Sequence, residues 1–196
     1  MGPTLPRTAR AMIGRGARFI AMLAVGFAGM PSSGLSAQAG DNGLEYKVEA
    51  TYLSKFGAFV DWPSSVFESP DSPINLCVVG QDPFDGILDQ VVMGQRIDMR
   101  PIALHRLKAV TADSGCQILY VGGSDQKAAV LAMDAVRSAA VLTVTDADND
   151  SVAGIIHFVI KDNRVRFEID DRSASLKGLK ISSKLLNLAL SVRAGP

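Results

Sequence analysis

The stretch that decides the fold is Ile74-Asn75-Leu76-Cys77-Val78-Val79-Gly80-Gln81-Asp82-Pro83-Phe84. Residues 74–79 are almost wholly apolar and rich in β-branched side chains, which is typical of a strand covered on both faces of a sheet. Gly80 ends this strand, Asp82 is a good N-cap, and Pro83 suits the first position of a helix because its missing N–H costs nothing there. We therefore predict a buried strand over residues 74–79, followed by a helix over residues 83–91.

The alternation of strands and helices continues on both sides of this stretch. An amphipathic helix is predicted over residues 45–60, where apolar residues recur at spacings of three and four until Trp62-Pro63 ends the pattern. Further strands are predicted over residues 101–107, 117–121, 140–145, 155–160 and 165–169, and further helices over residues 125–138 and from Ser173 or Ser182 to residue 192. This order predicts an α/β fold: a single three-layer domain with a mainly parallel sheet, helices on both faces, and a C-terminal antiparallel hairpin at one edge.

The N-terminal residues have the pattern of an export signal. Four arginines and no acidic residue precede an apolar run over residues 19–30, and Ala37-Gln38-Ala39 offers small residues for cleavage. The run is shorter than the ~20 residues that a membrane-spanning helix needs. We predict a cleaved signal peptide over residues 1–39 and a mature domain over residues 40–196 in the periplasm. An uncleaved N-terminal anchor is the alternative.

Removal of that leader leaves a mildly acidic domain. The chain has 20 basic and 20 acidic residues, and four of the basic but none of the acidic residues lie in the leader, which gives the mature part a net charge of about −4. A negative charge provides no electrostatic basis for binding nucleic acid, so nucleic acid is not an expected partner. It does suit solubility in the periplasm.

Cys77 and Cys116 are the two cysteines of the chain. Each lies in or at the start of an apolar strand-like run, and export places both in an oxidising compartment. An even number of cysteines in an exported chain predicts a disulfide. Two buried free thiols are the alternative, because the sequence does not show whether their Cα atoms come within bridging distance.

Small and polar residues follow two of the predicted strands. Gly80 and Asp82 come after one strand, and Gly122-Gly123-Ser124 comes after another and before a helix that Ser124 is expected to cap. Ligands of open parallel sheets bind beyond the carboxyl ends of the strands. These residues are therefore the candidate small-molecule site, although short glycine turns also occur there for packing reasons alone.

Trp62, the one tryptophan of the chain, is a candidate for partner binding because exposed aromatic side chains often anchor interfaces. Half-buried packing at the end of the helix is the alternative reading. The sequence has no recognisable cofactor-binding motif, so we expect no cofactor.

Signals for catalysis and metal binding are weak. Ser182-Ser183-Lys184 lacks the spacing of known serine–lysine enzymes and is typical of helix caps. His105 and His157 are far apart and are interpreted as partly buried strand histidines rather than metal ligands. Asp146, Asp148 and Asp150 begin like a calcium loop, but the later positions do not fit, so a solvated loop is predicted. We expect neither a catalytic nor a metal site.

Three stretches have a joint order and spacing that is more specific than any of them alone. They are Glu49-Ala50-Thr51-Tyr52-Leu53 running to Phe59-Val60-Asp61-Trp62-Pro63, the stretch from Leu76 to Phe84, and Gly178-Leu179-Lys180-Ile181-Ser182-Ser183-Lys184-Leu185-Leu186-Asn187-Leu188-Ala189. Together they resemble the YfiR-like family of bacterial periplasmic proteins. The resemblance implies a small α/β protein in which the two cysteines pair neighbouring strands.

The resemblance also implies a function. Family members act as non-enzymatic regulators, and the best understood type binds the periplasmic domain of an inner-membrane diguanylate cyclase and holds it inactive until envelope stress, including a redox change, relieves the hold. The leading hypothesis is thus a soluble periplasmic regulator that inhibits a membrane signalling enzyme. The alternatives are a small-molecule-binding module with its site near Gly80 and Gly122, and an unrecognised hydrolase. A homodimer is compatible with each, but no apolar stripe identifies its interface.

Overall fold

A mainly parallel central sheet with helices on both faces confirms the predicted fold class. The computed structural model describes residues 38–149 and 152–195, all within one compact unit, Ser36–Pro196. The expected leader over residues 1–39 lies outside the described residues, apart from its last two, and stays a prediction. Among the helices of the described residues, none combines the length and apolar content that a membrane crossing requires.

Ten strands occur in the described residues. Along the chain they are β1 (Val60–Asp61), β2 (Ile74–Gly80), β3 (Arg96–Ile97), β4 (Arg100–Leu107), β5 (Ile118–Gly122), β6 (Leu142–Thr145), β7 (Ile156–Lys161), β8 (Arg164–Asp170), β9 (Lys180–Ile181) and β10 (Ser191–Arg193). Eight of them form the main sheet in the order β10-β8-β7-β6-β5-β2-β4-β3. The neighbouring strands from β4 through β2, β5 and β6 to β7 are all parallel.

The helices cover the two faces of this sheet. They are α1 (Gln38–Phe56), α2 (Ile87–Val92), α3 (Gln126–Ala135), α4 (Asp171–Leu176) and α5 (Ser183–Leu186). Leu76 and Val78 of β2 pack in one apolar cluster with residues of α1 and α2, whereas Cys77 and Val79 pack in a second cluster with residues of α3. Successive side chains of a strand point to opposite faces, so the apolar run over residues 74–79 is buried from both sides.

Aromatic side chains hold α1 against the part of the sheet that contains β7 and β8. Phe56 of α1 is fully buried, and its ring centroid lies 5.7 Å from that of Phe158 and 5.4 Å from that of Phe167. Such pairs contribute about 0.5–1.5 kcal/mol beyond the burial of apolar area. They fix α1 across β7 and β8.

A separate two-stranded sheet joins the end of α1 to the C-terminal part of the chain. β1 pairs antiparallel with β9, with Val60 opposite Ile181. The Ser182 N–H continues the ladder by donating to the Phe59 carbonyl oxygen at 2.8 Å. The predicted helix over residues 45–60 was therefore wrong at its end: α1 ends at Phe56, and a 3-10 turn, Gly57–Phe59, leads into β1.

The helix predicted over residues 83–91 begins later than expected. Asp82 accepts a hydrogen bond from the Phe84 N–H at 2.9 Å, which closes a turn rather than capping a helix. Asp85 then adopts a positive φ of 48°, which is incompatible with a continuous right-handed helix. As a result α2 starts at Ile87.

The helix after β5 is also capped differently from the prediction. The expected cap was Ser124, but the Asp125 carboxylate accepts from the Ala128 N–H at 3.1 Å, and α3 is shorter than residues 125–138.

The C-terminal part confirms one prediction and corrects two. Asp162 and Asn163 both have positive φ, as a tight hairpin turn requires, and β7 and β8 pair antiparallel as predicted. The helix predicted to reach residue 192 is broken into α4 and α5, and these are followed by β10, which pairs parallel with β8. The hairpin is thus one strand in from the edge.

Candidate functional site

A cavity of about 530 Å³ lies at the carboxyl ends of β2 and β5. Four of the six residues that were predicted to bind a ligand or partner line this cavity: Gly80, Gly122, Gly123 and Ser124. The parallel pairing of β2 with β5, with Gly80 opposite Gly122, brings the two strand ends together. The topology therefore gathers these residues as the sequence predicted.

Close backbone contact explains the glycines at this edge. A Cβ on Gly80 would lie 2.2 Å from the Gly122 carbonyl oxygen, and a Cβ on Gly122 would lie 2.1 Å from the Gln81 carbonyl oxygen. The Gln81 N–H donates to the Gly122 carbonyl oxygen at 3.0 Å and joins the two segments. Gly80 also has a φ of +84°, which side chains rarely adopt. Packing alone accounts for glycine at both positions.

The remaining wall of the cavity combines an apolar helix face with a few polar groups. Leu131 of α3 lines the cavity with 61% of its surface exposed, and Lys108 lines it from the segment after β4. Asp125 also lines it, but its carboxylate is engaged in capping α3. A mostly apolar cavity with few polar groups is the usual form of a small-molecule site.

Asp82, the fifth predicted binding residue, does not line this cavity. Its Oδ2 accepts from Arg106 Nε at 2.6 Å, and the same guanidinium binds both carboxylate oxygens of Asp89. Hydrogen bonding to Arg106 lowers the pKa of Asp89. Asp82 therefore fixes the loop between β2 and α2 to β4.

Trp62, the sixth predicted residue, lies at a different place. It is partly buried and packs against the apolar core, and it lines a separate cavity of about 290 Å³ together with Asp98 and Arg100. Its buried Nε1 has no hydrogen-bond partner among the described residues. The structure therefore separates Trp62 from the cavity at the strand ends.

Cys77 and Cys116 form a disulfide, as predicted, with a Cα–Cα distance of 5.9 Å. Cys77 is in β2 and Cys116 precedes β5, and both residues are buried. Reactive cysteines are partly exposed, whereas buried ones are inert. The burial favours a structural role for this disulfide over a redox-sensing one.

The histidines and the acidic loop differ from their predictions. His157 is buried, and its Nδ1 lies 2.8 Å from Thr145 Oγ1, but His105 is exposed rather than partly buried. Asp146 is buried rather than solvated and accepts a hydrogen bond from the Tyr120 hydroxyl. Within the described residues, no group of three His, Cys, Asp or Glu side chains could hold a metal ion.

Ser182 caps α5, as the cap interpretation of that serine predicted.

A buried acidic cluster beside Asp146 was missed by the sequence analysis. Glu49 of α1 is only 3% exposed, and its Oε2 has no hydrogen-bond partner among the described residues. Burial, followed by the charges of Asp146, Glu45 and Asp148, raises the pKa of Glu49 to about 8. One signal was available: Glu49 lies four residues before Leu53 and seven before Phe56, on the buried side of α1.

The comparison with known protein families agrees with this architecture. The YfiR/HmsC-like family, DUF4154, matches residues 46–190, which run from α1 to the residue before β10. No curated protein matches the chain. Because the match covers most of the chain, the protein belongs to the YfiR/HmsC-like family.

Proposed function

We propose that this protein is a periplasmic regulator that binds the periplasmic domain of an inner-membrane diguanylate cyclase and holds the enzyme inactive. The observation that carries the proposal is the family match over residues 46–190. Membership of this family supports, in general, a role as a periplasmic regulator of diguanylate cyclase signalling. A regulator of this kind acts by binding one conformation of its partner more tightly than another. It needs a contact surface rather than a catalytic site.

The open edge of the main sheet is a suitable contact surface. β10 is the last strand at this edge, and its three residues are exposed. Leu188, Leu190 and Val192 each expose between 39% and 56% of their surface along this segment. An edge strand with apolar neighbours can accept a strand from another protein, with main-chain hydrogen bonds providing affinity and side chains providing specificity. We refer to residues 188–193 as the β10 edge.

Deletion and complementation test this proposal. Deletion of the gene should raise intracellular cyclic-di-GMP, and the wild-type chain should restore the low level. A double variant of the β10 edge, Leu190→Asp with Val192→Asp, should not restore it while remaining folded by circular dichroism. Met99→Asp is the matched control, since Met99 is 69% exposed in the turn between β3 and β4, and β3 lies at the opposite edge of the main sheet from β10. Unchanged cyclic-di-GMP on deletion would contradict the proposal.

A small-molecule-binding module is the second candidate, and the cavity of about 530 Å³ at the strand ends favours it. A metabolite that binds there, at a free concentration of about 100 times its dissociation constant, would stabilise the fold by ~2.7 kcal/mol. A thermal-shift screen of polar metabolites should then give a stabilising compound. Ala128→Phe, which fills the cavity wall, should abolish the shift, and Val130→Phe on the same helix but outside the lining should preserve it.

A further inference from the structure

A third cavity, of about 130 Å³, lies between α1 and the segment after β6. Its wall includes four acidic side chains, Glu45, Glu49, Asp146 and Asp148, together with the aromatic Tyr46 and the aliphatic Ile160. It is separate from the cavity at the strand ends and shares no lining residue with it. It is referred to below as the acidic cavity.

The acidic cavity holds one unsatisfied charge-bearing group. Glu49 is 3% exposed, and its Oε2 faces no hydrogen-bond donor among the described residues. A buried polar atom left without a partner costs about 1–3 kcal/mol, and an ionised one costs more. The Asp146 carboxylate, also buried, does receive a donor, the hydroxyl of Tyr120. The cavity therefore lacks a donor at Glu49 in particular.

The charges around Glu49 are all of one sign. The groups that act on it are Glu45 from the same helix and Asp146 and Asp148 from the segment after β6, and each raises its pKa. Tyr46 and Tyr120 face the same carboxylates, and burial, followed by these negative charges, raises the pKa of both phenols, so they remain neutral donors. A cation in this cavity would satisfy Glu49 and offset the mutual repulsion of the carboxylates.

The shape and lining favour an organic cation over a metal ion. Divalent metal ions need several oxygen ligands converging within about 2.6 Å, and no group of three acidic, histidine or cysteine side chains in the described residues has that arrangement. The aromatic ring of Tyr46 can instead face a cation, and the half-exposed Ile160 can cover an aliphatic chain. A cavity of about 130 Å³ also has room for more than a bare ion.

We propose that the acidic cavity binds the ammonium group of a small alkylamine, with Glu49 as the counter-ion and Tyr46 and Ile160 against the alkyl chain. The ammonium N–H groups donate to the free Oε2 of Glu49 and to the carboxylates beside it. Binding requires the ionised form of Glu49, so the carboxyl proton leaves to solvent as the amine enters. The ligand and the released proton carry equal charge, and the net charge of the site stays the same.

Calorimetry of the purified full chain with n-butylammonium chloride tests the site. Below the pKa of Glu49, about 8, the affinity should rise roughly tenfold per pH unit, and it should level off above that pKa. Titrations in buffers of different ionisation enthalpy should show close to one proton released per ligand at neutral pH. n-Butanol, which has the alkyl chain without the charge, should not bind.

Two variants separate this site from nonspecific attraction of cations to an acidic surface. Glu49→Gln keeps the shape of the side chain but removes its charge, and it should weaken n-butylammonium binding at least tenfold and abolish the proton release. Glu68→Gln, an exposed acidic position outside the cavity, should bind like the wild-type chain. Equal binding by Glu49→Gln, a pH-independent affinity, or binding of calcium chloride in preference to n-butylammonium would overturn the proposal.

Discussion

Gly80 and Gly122 end adjacent parallel strands, and their backbones approach so closely that a single methyl group on Gly80 would overlap the Gly122 carbonyl oxygen. The contact is backbone to backbone, so no side chain can move aside to relieve it. It closes one side of the cavity at the strand ends. The edge that carries this cavity is therefore closely packed, backbone against backbone.

Gly80→Ala should destabilise the fold strongly. The new Cβ would lie 2.2 Å from a carbonyl oxygen at a φ of +84°, so steric overlap adds to backbone strain, and we expect a loss of at least ~3 kcal/mol in the free energy of unfolding. Gly94→Ala is the matched control, because Gly94 has a φ of +68° but no atom within 4 Å of its Cβ position. It should lose only about 1–2 kcal/mol. Urea denaturation measures both, and equal losses would contradict the contact.

Removal of the disulfide should destabilise the protein without changing its fold. The bridge closes a loop with a sequence separation of 39, for which the chain-entropy model gives a loss of up to ~4 kcal/mol in the free energy of unfolding. The double variant Cys77→Ala with Cys116→Ala should show this loss in urea. In the wild-type chain, mild reductant under native conditions should leave the bond intact because both cysteines are buried. Rapid reduction without unfolding would favour a redox-sensing role instead.

Glu49→Gln should change how stability depends on pH. The folded pKa of Glu49, about 8, lies above its ordinary value of 4.5, so between these values the folded chain binds more protons than the unfolded one. The free energy of unfolding therefore falls as pH rises through this window, and Glu49 no longer contributes any pH dependence above it. The glutamine variant lacks this fall and should be at least ~2 kcal/mol more stable than wild type near pH 9.

Chemical denaturation across this pH range checks the prediction, and Glu68→Gln provides the exposed control. A wild-type chain whose stability stays level between these pH values would show that Glu49 is not titrating in a buried acidic environment.

Lys177 should stabilise the C-terminal end of α3. Its ammonium group donates to the carbonyl oxygens of Val136, Arg137 and Ala139, which follow α3. Hydrogen bonds to a charged group contribute about 1.5–3 kcal/mol, so Lys177→Met should lower the free energy of unfolding by roughly that amount. Lys127→Met, at an exposed position on α3, should have little effect. Thermal unfolding of the two variants gives the comparison.

The buried strands were predictable because each consists of consecutive, mostly apolar residues. A strand covered on both faces is apolar at nearly every position, so residues 74–79 stand out in the sequence without any knowledge of the partner strands. The position of the cavity followed from the same strands, since the carboxyl ends of parallel strands meet at one edge. Gly80 and Gly122 were found by that topological argument.

The ends of the helices depend on contacts that are distant in sequence. Asp82 is held by Arg106, 24 residues further on, so its local pattern as a helix cap was misleading. At the C-terminus, the Leu190 N–H donates to the Phe167 carbonyl oxygen, and this pairing draws an apparently helical segment into the sheet. Local propensity favoured helices at both places, and tertiary hydrogen bonds overrode it.

The acidic cavity could not be predicted from the sequence and was found only in the three-dimensional structure. Glu49 and Asp146 are almost a hundred residues apart, and only the packing of α1 over the segment after β6 brings their carboxylates together. In the sequence, Asp146 resembled part of an exposed loop, and its hydrogen bond with Tyr120 had no local signature.

The small sheet formed by β1 and β9 constrains when this protein can fold. Val60 pairs with Ile181, which lies some 120 residues later in the chain. This pairing can form only after that later segment has been synthesised and has reached the folding chain. Contacts of such long sequence separation form late because the intervening chain must first be closed into a loop. A chain threaded through a membrane from its N-terminus would therefore have to wait until nearly all of it had arrived on the far side before α1 could be locked in position.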